Sequence, residues 1–487
     1  MFFRPISAAF LIAAFLPVFA QANVNWNEIL NQDAGATVYF GAGHKGLAPF
    51  RRNFEVPMAP ASTSKVFTAG ALLAARGKNF RYPTILRWRE SSPGVADELT
   101  LIGSGDPSWG MPQFGEKLRT RIDQIAEALK NAGVRIVRGE LILVSADPRW
   151  ESFIIPRGWK EQDTLSCGGS LAFGFNLNLN CATFRLLNPG KGAWLEQGLS
   201  SPVELRVKEG NKTGLIVRLV KNARGPRFVI SGTLKKGETR SFTLPVFDPS
   251  SWAKALFRQA LVEKGIRLAE EIPENERGVE KELTFYSRPL SELLKPFLKN
   301  SVNFLGDAFL KSLAMNHAGV ASDLLNPGLL LLTNYLNRLG LPRDFVIHDG
   351  SGLSRNSRVS PKILLEFLEH LQREPYFPTI LEALAVAGID GTLRNRMKGS
   401  AAVATLRGKT GTLDGVYNLA GYVPWGRDHV PFVMLSRTTS DKSAIARKAE
   451  DRVGIRLALL HKPANEPLAT TIEPFPYVPE QAGMDDQ

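Results

Sequence analysis

The chain has 487 residues, 44% of them hydrophobic, and a formal charge of +13. So much apolar content excludes a disordered chain, and at roughly 150 residues per domain the length holds two or three packed domains. The Lys and Arg residues are scattered rather than blocked, which fits a soluble basic surface better than a dedicated polyanion site.

Residues 1–22 read as an export signal. Arg4 makes the start positive, Ile6 to Phe19 is largely apolar, and Ala20-Gln21-Ala22 is a small-x-small cleavage site. Pro17 breaks the apolar run, and no later segment has the ~18 uninterrupted apolar residues that a spanning helix needs. No cysteine follows the cleavage site to carry a lipid. The protein is therefore expected to be exported, to the periplasm. Export removes nucleic acid from the partners that the charge suggests, and leaves a peripheral contact with an anionic membrane surface.

From Asn23 to Ala61, alternating runs such as "ATVYFG" predict strands. A helix is predicted from Ser62, stopped by Gly77. "RYPTILRWRE" and "DELTLIGSGDPSW" predict strands, Gln113 to Gly133 a helix, and "VRIVRGELILVS" a return to strand. Cys167 and Cys181 bracket "SCGGSLAFGFNLNLNC". In an oxidising compartment they are expected to form a disulfide, worth on the order of 3 kcal/mol. "VELRVKEGNKTGLIVRLV" predicts a hairpin with a charged turn. After Asp248-Pro249 a helix is predicted to about Lys264. Helices then dominate to about Leu384, interrupted near Lys299 to Val302 and by the loop "DGSGLSRNSR". Strands return from Val403 to Ser436, a last helix spans about Asp441 to Leu460, and the Pro-rich residues 465–487 are expected to be disordered. This order predicts one α/β unit interrupted by a second, β-rich module.

Six histidines show neither HExxH nor clustered spacing, so no zinc ligand set is visible and no metal or cofactor is expected. A GxSxG elbow is absent too. Three other patterns occur in order, SxxK, SxN and KTG, a set that marks penicillin-binding proteins and serine β-lactamases. Each occurs twice: at Ser62–Lys65 and Ser251–Lys254, at Ser301–Asn303 and Ser354–Asn356, and at Lys409–Gly411 and Lys212–Gly214.

Helix geometry separates the two SxxK copies. A serine and a lysine three apart share a face. Behind Ser62 and Lys65 that face continues through Val66, Ala69, Leu72 and Leu73, so Lys65 is expected to be buried. Burial disfavours an ammonium and makes the lysine available as a base for the Ser62 hydroxyl. The face of Ser251 and Lys254 continues to Arg258, which predicts a solvated lysine. Lys212 belongs to a charged turn, whereas Lys409 lies between strand-like runs, where a cation can face a cleft and Gly411 lets a ligand approach the backbone. Ser301 and Asn303 stand at a helix break that can aim both inward. Ser354 lies in a loop expected to be mobile.

With these residues in hand, the chain resembles the D-alanyl-D-alanine carboxypeptidase/endopeptidase family of low-molecular-weight penicillin-binding proteins (class C, peptidase family S13). "PASTSK", "GSGDPSW", "KNSVNFLGD", "DGSGLSR" and "GKTGTLDGVYNLAGY" resemble that family's blocks in its order, from about Asn23 to Lys462. The resemblance implies a transpeptidase-like fold, an antiparallel sheet with helices on both sides, over 23–83 and 284–464. Residues 84–283 would form a β-rich insertion of two subdomains. It implies Ser62 as nucleophile, Lys65 as base, Ser301 as proton relay, Asn303 as holder of the substrate amide, and Lys409, Thr410 and Thr412 around the terminal carboxylate. Gly411 is expected, with Thr410 and Thr412, to bind the substrate. Backbone N–H groups of Ser62 and Thr412 would form the oxyanion hole, typically worth about 3 kcal/mol per donor. Leu353, Ser354 and Arg355 would face the peptide stem.

The implied partners are peptidoglycan peptides ending in or cross-linked through D-Ala, and β-lactam inhibitors. The commoner SDN reads SVN here, with the outer two residues kept, and Asp414 stands where it could favour an amine on the stem. A serine β-lactamase on the same fold, or an inactive cell-wall-binding protein, are the alternatives. The first lacks a recognisable glutamate loop for deacylation, and the second is disfavoured by the intact set.

Overall fold

The computed structural model describes residues 26–31, 36–44, 47–188, 194–196, 203–222, 225–269, 278–317, 321–426, 428–461 and 474–476. The expected signal, 1–22, lies outside these residues.

Two stretches from opposite ends of the sequence build the main sheet. Its order is Ala385–Val386, Arg407–Leu413, Val416–Trp425, Asp428–Arg437, Thr37–His44 and Leu47–Arg52, antiparallel throughout. The two-residue period of a strand assigns its faces. Phe432 and Met434 join Phe40, Leu419 and Val423 in a core with Val453 and Leu457 of the last helix, Ser443–His461. Val433, Leu435, Ala420 and Tyr422 face the other way, into a core made with the helices Lys65–Arg76, Leu290–Lys299, Asn303–Ala314, Leu325–Arg338 and Pro361–Leu371. Helices thus cover both faces of an antiparallel sheet.

Between Pro83 and Tyr286 the chain builds a second core. Its largest sheet runs Arg267–Ala269, Ile136–Arg138, Val95–Gly103, Pro83–Ser92, Val279–Tyr286, with Ile142–Ser145 also beside Val95–Gly103. Pro83 pairs with Tyr286, so the strands that lead into and out of this region lie side by side. Two three-stranded sheets and the helices Thr120–Asn131 and Pro249–Glu263 complete it around Trp88, Trp109, Phe184 and Phe257. A disulfide joins Cys167 to Cys181.

Several expectations need correction. Trp26–Asn31 is helical, ahead of the first strand. The hairpin expected over 203–220 does not form. Val203–Gly210 instead pairs in parallel with Gly225–Lys235, whose antiparallel partner is Gly214–Asn222. Two residues separate Gly214–Asn222 from the following strand and three separate it from Val203–Gly210, and the shorter connection is the commoner one for a hairpin. Most of the expected disordered tail lies outside the described residues, but Pro474–Pro476 is docked: Asn300 Nδ2 donates to the Pro476 carbonyl at 3.0 Å and the Phe475 N–H to Asp390 at 3.4 Å. No helix among the described residues is long and apolar enough to cross a membrane.

The last helix also buries a carboxyl group. Glu450 Oε2 lies 2.9 Å from Arg396 while Oε1 has no partner, and burial pushes this carboxyl up to about 7. The folded protein therefore keeps a proton that the unfolded chain releases near pH 4.5. Stability from this group is complete below that pH and is lost as pH rises towards about 7. Glu450→Gln is expected to flatten the fall in unfolding free energy over that window, by on the order of 2–3 kcal/mol. Urea unfolding at a series of pH values measures it, and parallel curves for the two proteins would contradict it.

Candidate active site

The "PASTSK" stretch folds as a tight 3-10 turn, Ala61–Ser64, that runs into the Lys65–Arg76 helix. Ala61 has φ +46, and Thr63 Oγ1 donates to the Pro60 carbonyl at 2.6 Å. Asn418, on the neighbouring Val416–Trp425 strand, fastens this turn to the sheet: its Nδ2 donates to Ala59 O at 3.1 Å and Pro60 O at 2.8 Å, and its Oδ1 accepts the Ser436 N–H. Val66, Ala69, Leu72 and Leu73 are all buried in the helical core.

Lys65 is fully buried. Its Nζ lies 2.9 Å from Ser62 Oγ, 2.6 Å from Asn303 Oδ1 and 2.7 Å from the Ser351 carbonyl. The apolar stripe thus surrounds the stem of the side chain, while oxygens from three separate elements meet its end. The burial expected for Lys65 is therefore present, but its end sits among oxygens rather than in apolar surroundings. Ser62 itself is only half-buried.

Lys409 is buried on the Arg407–Leu413 strand and donates to Ser301 Oγ at 2.9 Å and to Thr410 O at 2.8 Å. Ser301 and Asn303 sit in the break between the Leu290–Lys299 and Asn303–Ala314 helices. One residue of this turn therefore meets Lys409 and the other meets Lys65. Thr410 Oγ1 donates to Thr392 Oγ1 at 2.7 Å, and Thr412 is exposed. Gly411 serves the protein's own chain: a β-carbon there would stand 2.9 Å from Pro60 O and 3.1 Å from Ala61 Cβ. Glycine at this position lets the strand lie against the Ser62 turn.

The "DGSGLSR" loop is packed rather than mobile, which corrects the expectation for Ser354. Ser354 is buried and its Oγ donates to Arg157 O at 2.6 Å. Asp349 organises the loop. Its carboxylate accepts from Trp159 Nε1 at 2.6 Å, Gly352 N at 2.8 Å, Ser354 N at 3.0 Å and Ser351 Oγ at 3.0 Å. Leu353 is half-buried. Arg355 forms a two-pronged ion pair with Asp163, and Lys160 pairs with Asp414 at 2.8 Å. Trp159, Lys160 and Asp163 all come from the inserted region, which therefore walls this side of the cleft. The Asp414 carboxylate is taken by Lys160, which holds it well below the usual range.

The other SxxK and KTG copies lie apart. Lys254 pairs with Glu140 at the surface, Ser251 N is capped by Asp248, and Lys212 is exposed. Asp349, Ser351, Thr392, Asn418 and the 157–163 segment were missed by sequence reasoning. Only "DGSG" carried a signal, as a Gly/Ser loop; partners this distant in sequence leave no local pattern.

The sequence profile of the D-Ala-D-Ala carboxypeptidase 3 (S13) family matches residues 33–455. A D-alanyl-D-alanine carboxypeptidase of an Actinomadura species is 28% identical over 437 residues, covering 84% of this chain and 78% of its own. The crystal structure of penicillin binding protein 4 (dacB) from Haemophilus influenzae superposes with a TM-score of 0.71 at 25% identity, covering 89% of this chain and 99% of that one. A structure of that protein complexed with a novel β-lactam gives 0.66 at 24% identity, covering 90% and 100%.

Asp349→Ala would leave four buried or half-buried donors without their acceptor. It is expected to destabilise the protein by about 3–5 kcal/mol, at roughly 1 kcal/mol or more per orphaned donor, with Asp349→Asn losing less because it keeps an acceptor. Thermal unfolding of the two variants checks this, and equal losses would count against the acceptor role.

Proposed function

The chain belongs to the D-Ala-D-Ala carboxypeptidase 3 (S13) family, and we propose that it hydrolyses peptidoglycan stem peptides or cross-links after a D-alanine through an acyl-enzyme on Ser62. The observation that carries this reading is Lys65 Nζ at 2.9 Å from Ser62 Oγ, inside the ring of Asn303 and Ser351 oxygens.

Ser62 Oγ attacks the carbonyl of the penultimate D-alanine, and its proton passes to the Lys65 amine. The N–H groups of Ser62 and Thr412 hold the oxyanion. Collapse of the tetrahedral adduct breaks the peptide bond. Ser301, bonded to Lys409, hands its proton to the departing amine and regains one from the Lys65 ammonium, which returns Lys65 to the neutral amine, while Asn303 fixes the substrate amide. Lys409, Thr410 and Thr412 receive the terminal carboxylate. Water then attacks the ester, with Lys65 taking its proton and passing it to Ser62 Oγ, and releases the shortened peptide and free Ser62. Leu353, Ser354 and Arg355 line the stem side together with Asp414, a wall that carries charges of both signs.

A β-lactam enters the same sequence with one difference. Its amide is part of a ring, so the leaving amine stays tethered and obstructs the water. A long-lived adduct on Ser62 is expected to follow; the Haemophilus influenzae relative complexed with a β-lactam supports binding of that inhibitor class. The export signal and the substrate both point to the periplasm.

Mass spectrometry after incubation with labelled penicillin tests the reading. The parent and Ser251→Ala are expected to carry one adduct, Ser62→Ala none, and the parent alone of the first and last to release D-alanine from a pentapeptide. Labelling lost in Ser251→Ala instead would move the site. Rapid turnover of penicillin would favour a β-lactamase, and neither adduct nor D-alanine would favour a binding protein.

A further inference from the structure

The turn that carries Ser301 and Asn303 is strained. Ser301 has φ +66, a left-handed backbone that a β-carbon disfavours. Such a conformation persists only where its surroundings enforce it. Immediately before the turn, Lys299 closes the Leu290–Lys299 helix with only 6% of its side chain exposed. Its Nζ lies 2.7 Å from Asp390 Oδ2 and 2.8 Å from the Leu384 carbonyl. The other oxygen of the buried Asp390 accepts the Val386 N–H at 2.8 Å. Burial pushes the Lys299 ammonium below its usual value, and Asp390 works against that.

Asp390 also leads directly to the sheet side of the cleft. The next residue, Gly391, has φ +55, and a β-carbon on it would stand 2.5 Å from the Lys299 carbonyl. The backbones on either side of the ion pair are thus in contact. One residue further, Thr392 Oγ1 meets Thr410 Oγ1. The ion pair therefore has Ser301 two residues away on the helical side and Thr410, through Thr392, on the sheet side. Pro474–Pro476 lies over this junction, bonded to both Asn300 and Asp390.

Stability is a poor reason for such a pair, because apolar residues of similar volume commonly replace a buried ion pair at no loss. Geometry is a better one. We infer that Lys299 and Asp390 are positioning residues that fix the gap between the Ser301 hydroxyl, which relays the proton, and the Thr410 hydroxyl, which receives the substrate carboxylate. This inference rests on the reaction proposed above.

The double variant Lys299→Met with Asp390→Leu removes both charges and keeps apolar volume, so its melting temperature is expected to stay near the parent's. Its rate constant for penicillin acylation of Ser62 is expected to fall about 10- to 100-fold, as for a misplacement of roughly 1 Å, with kcat for D-alanine release falling alongside. Thr392→Val disturbs the carboxylate arm alone, and is expected to raise KM for the pentapeptide while kcat holds. A folded double variant that acylates at the parental rate overturns the inference. If the double variant does not fold, Thr392→Val decides: an unchanged KM overturns it. A parent without any Ser62 adduct would sink the reaction itself, and the inference with it.

Discussion

A fully buried amine needs partners, and the Lys65 amine finds them on three elements that share no stretch of sequence. Ser62 comes from its own turn, Asn303 from the start of a helix, and the Ser351 carbonyl from a loop. An amine left unsatisfied in this interior would cost several kcal/mol, so all three elements must close on it together. That requirement explains much of the close packing nearby. A β-carbon on Gly352 would stand 1.9 Å from Ala61 O, and one on Gly350 2.1 Å from Gly306 O. The Ala61–Ser64 turn, the Asn303–Ala314 helix and the "DGSG" loop can approach that closely only because glycine stands where they meet.

The inserted region has its own core, and it is tied to the helical core both by apolar packing, through Met111, Trp150, Ala172 and Leu179, and by charge. Asp307 and Lys311, on the helix that Asn303 begins, are both buried and bind the two ends of one peptide unit's neighbourhood: Asp307 accepts the Ala172 N–H and Lys311 donates to the Ala172 carbonyl. Trp159, Lys160 and Asp163 repeat the pattern at the loop around Arg355. Apolar contacts would hold the two bodies together without fixing their register. Directional pairs fix it, and the stem-side wall depends on that register.

How much of this was legible in the sequence depends on range. The stripe behind Lys65 could be read because helix period is local, and it correctly separated the buried lysine from Lys254. The strands expected between Val403 and Ser436 were likewise legible, as Arg407–Leu413, Val416–Trp425 and Asp428–Arg437. Pairing could not be read from alternation, and the 203–220 segment shows why: period two says which way side chains point and nothing about which strand lies alongside. Ser354 was misjudged for the same kind of reason. A Gly- and Ser-rich loop looks mobile until Asp349 and Arg157 O, the latter far away in sequence, take up its hydrogen bonds. Thr392, Asn418 and Asp390 carry no local pattern at all; their roles exist only once the strands are paired.

The candidate site pairs amines with hydroxyls rather than with carboxylates. Two amines, Lys65 and Lys409, bind two hydroxyls, Ser62 and Ser301, and both amines lie against the same three-residue turn. Ser301 and Asn303 stand two residues apart, so a shift of this turn would move both contacts together. The SVN turn is the element that ties the two amines to one another.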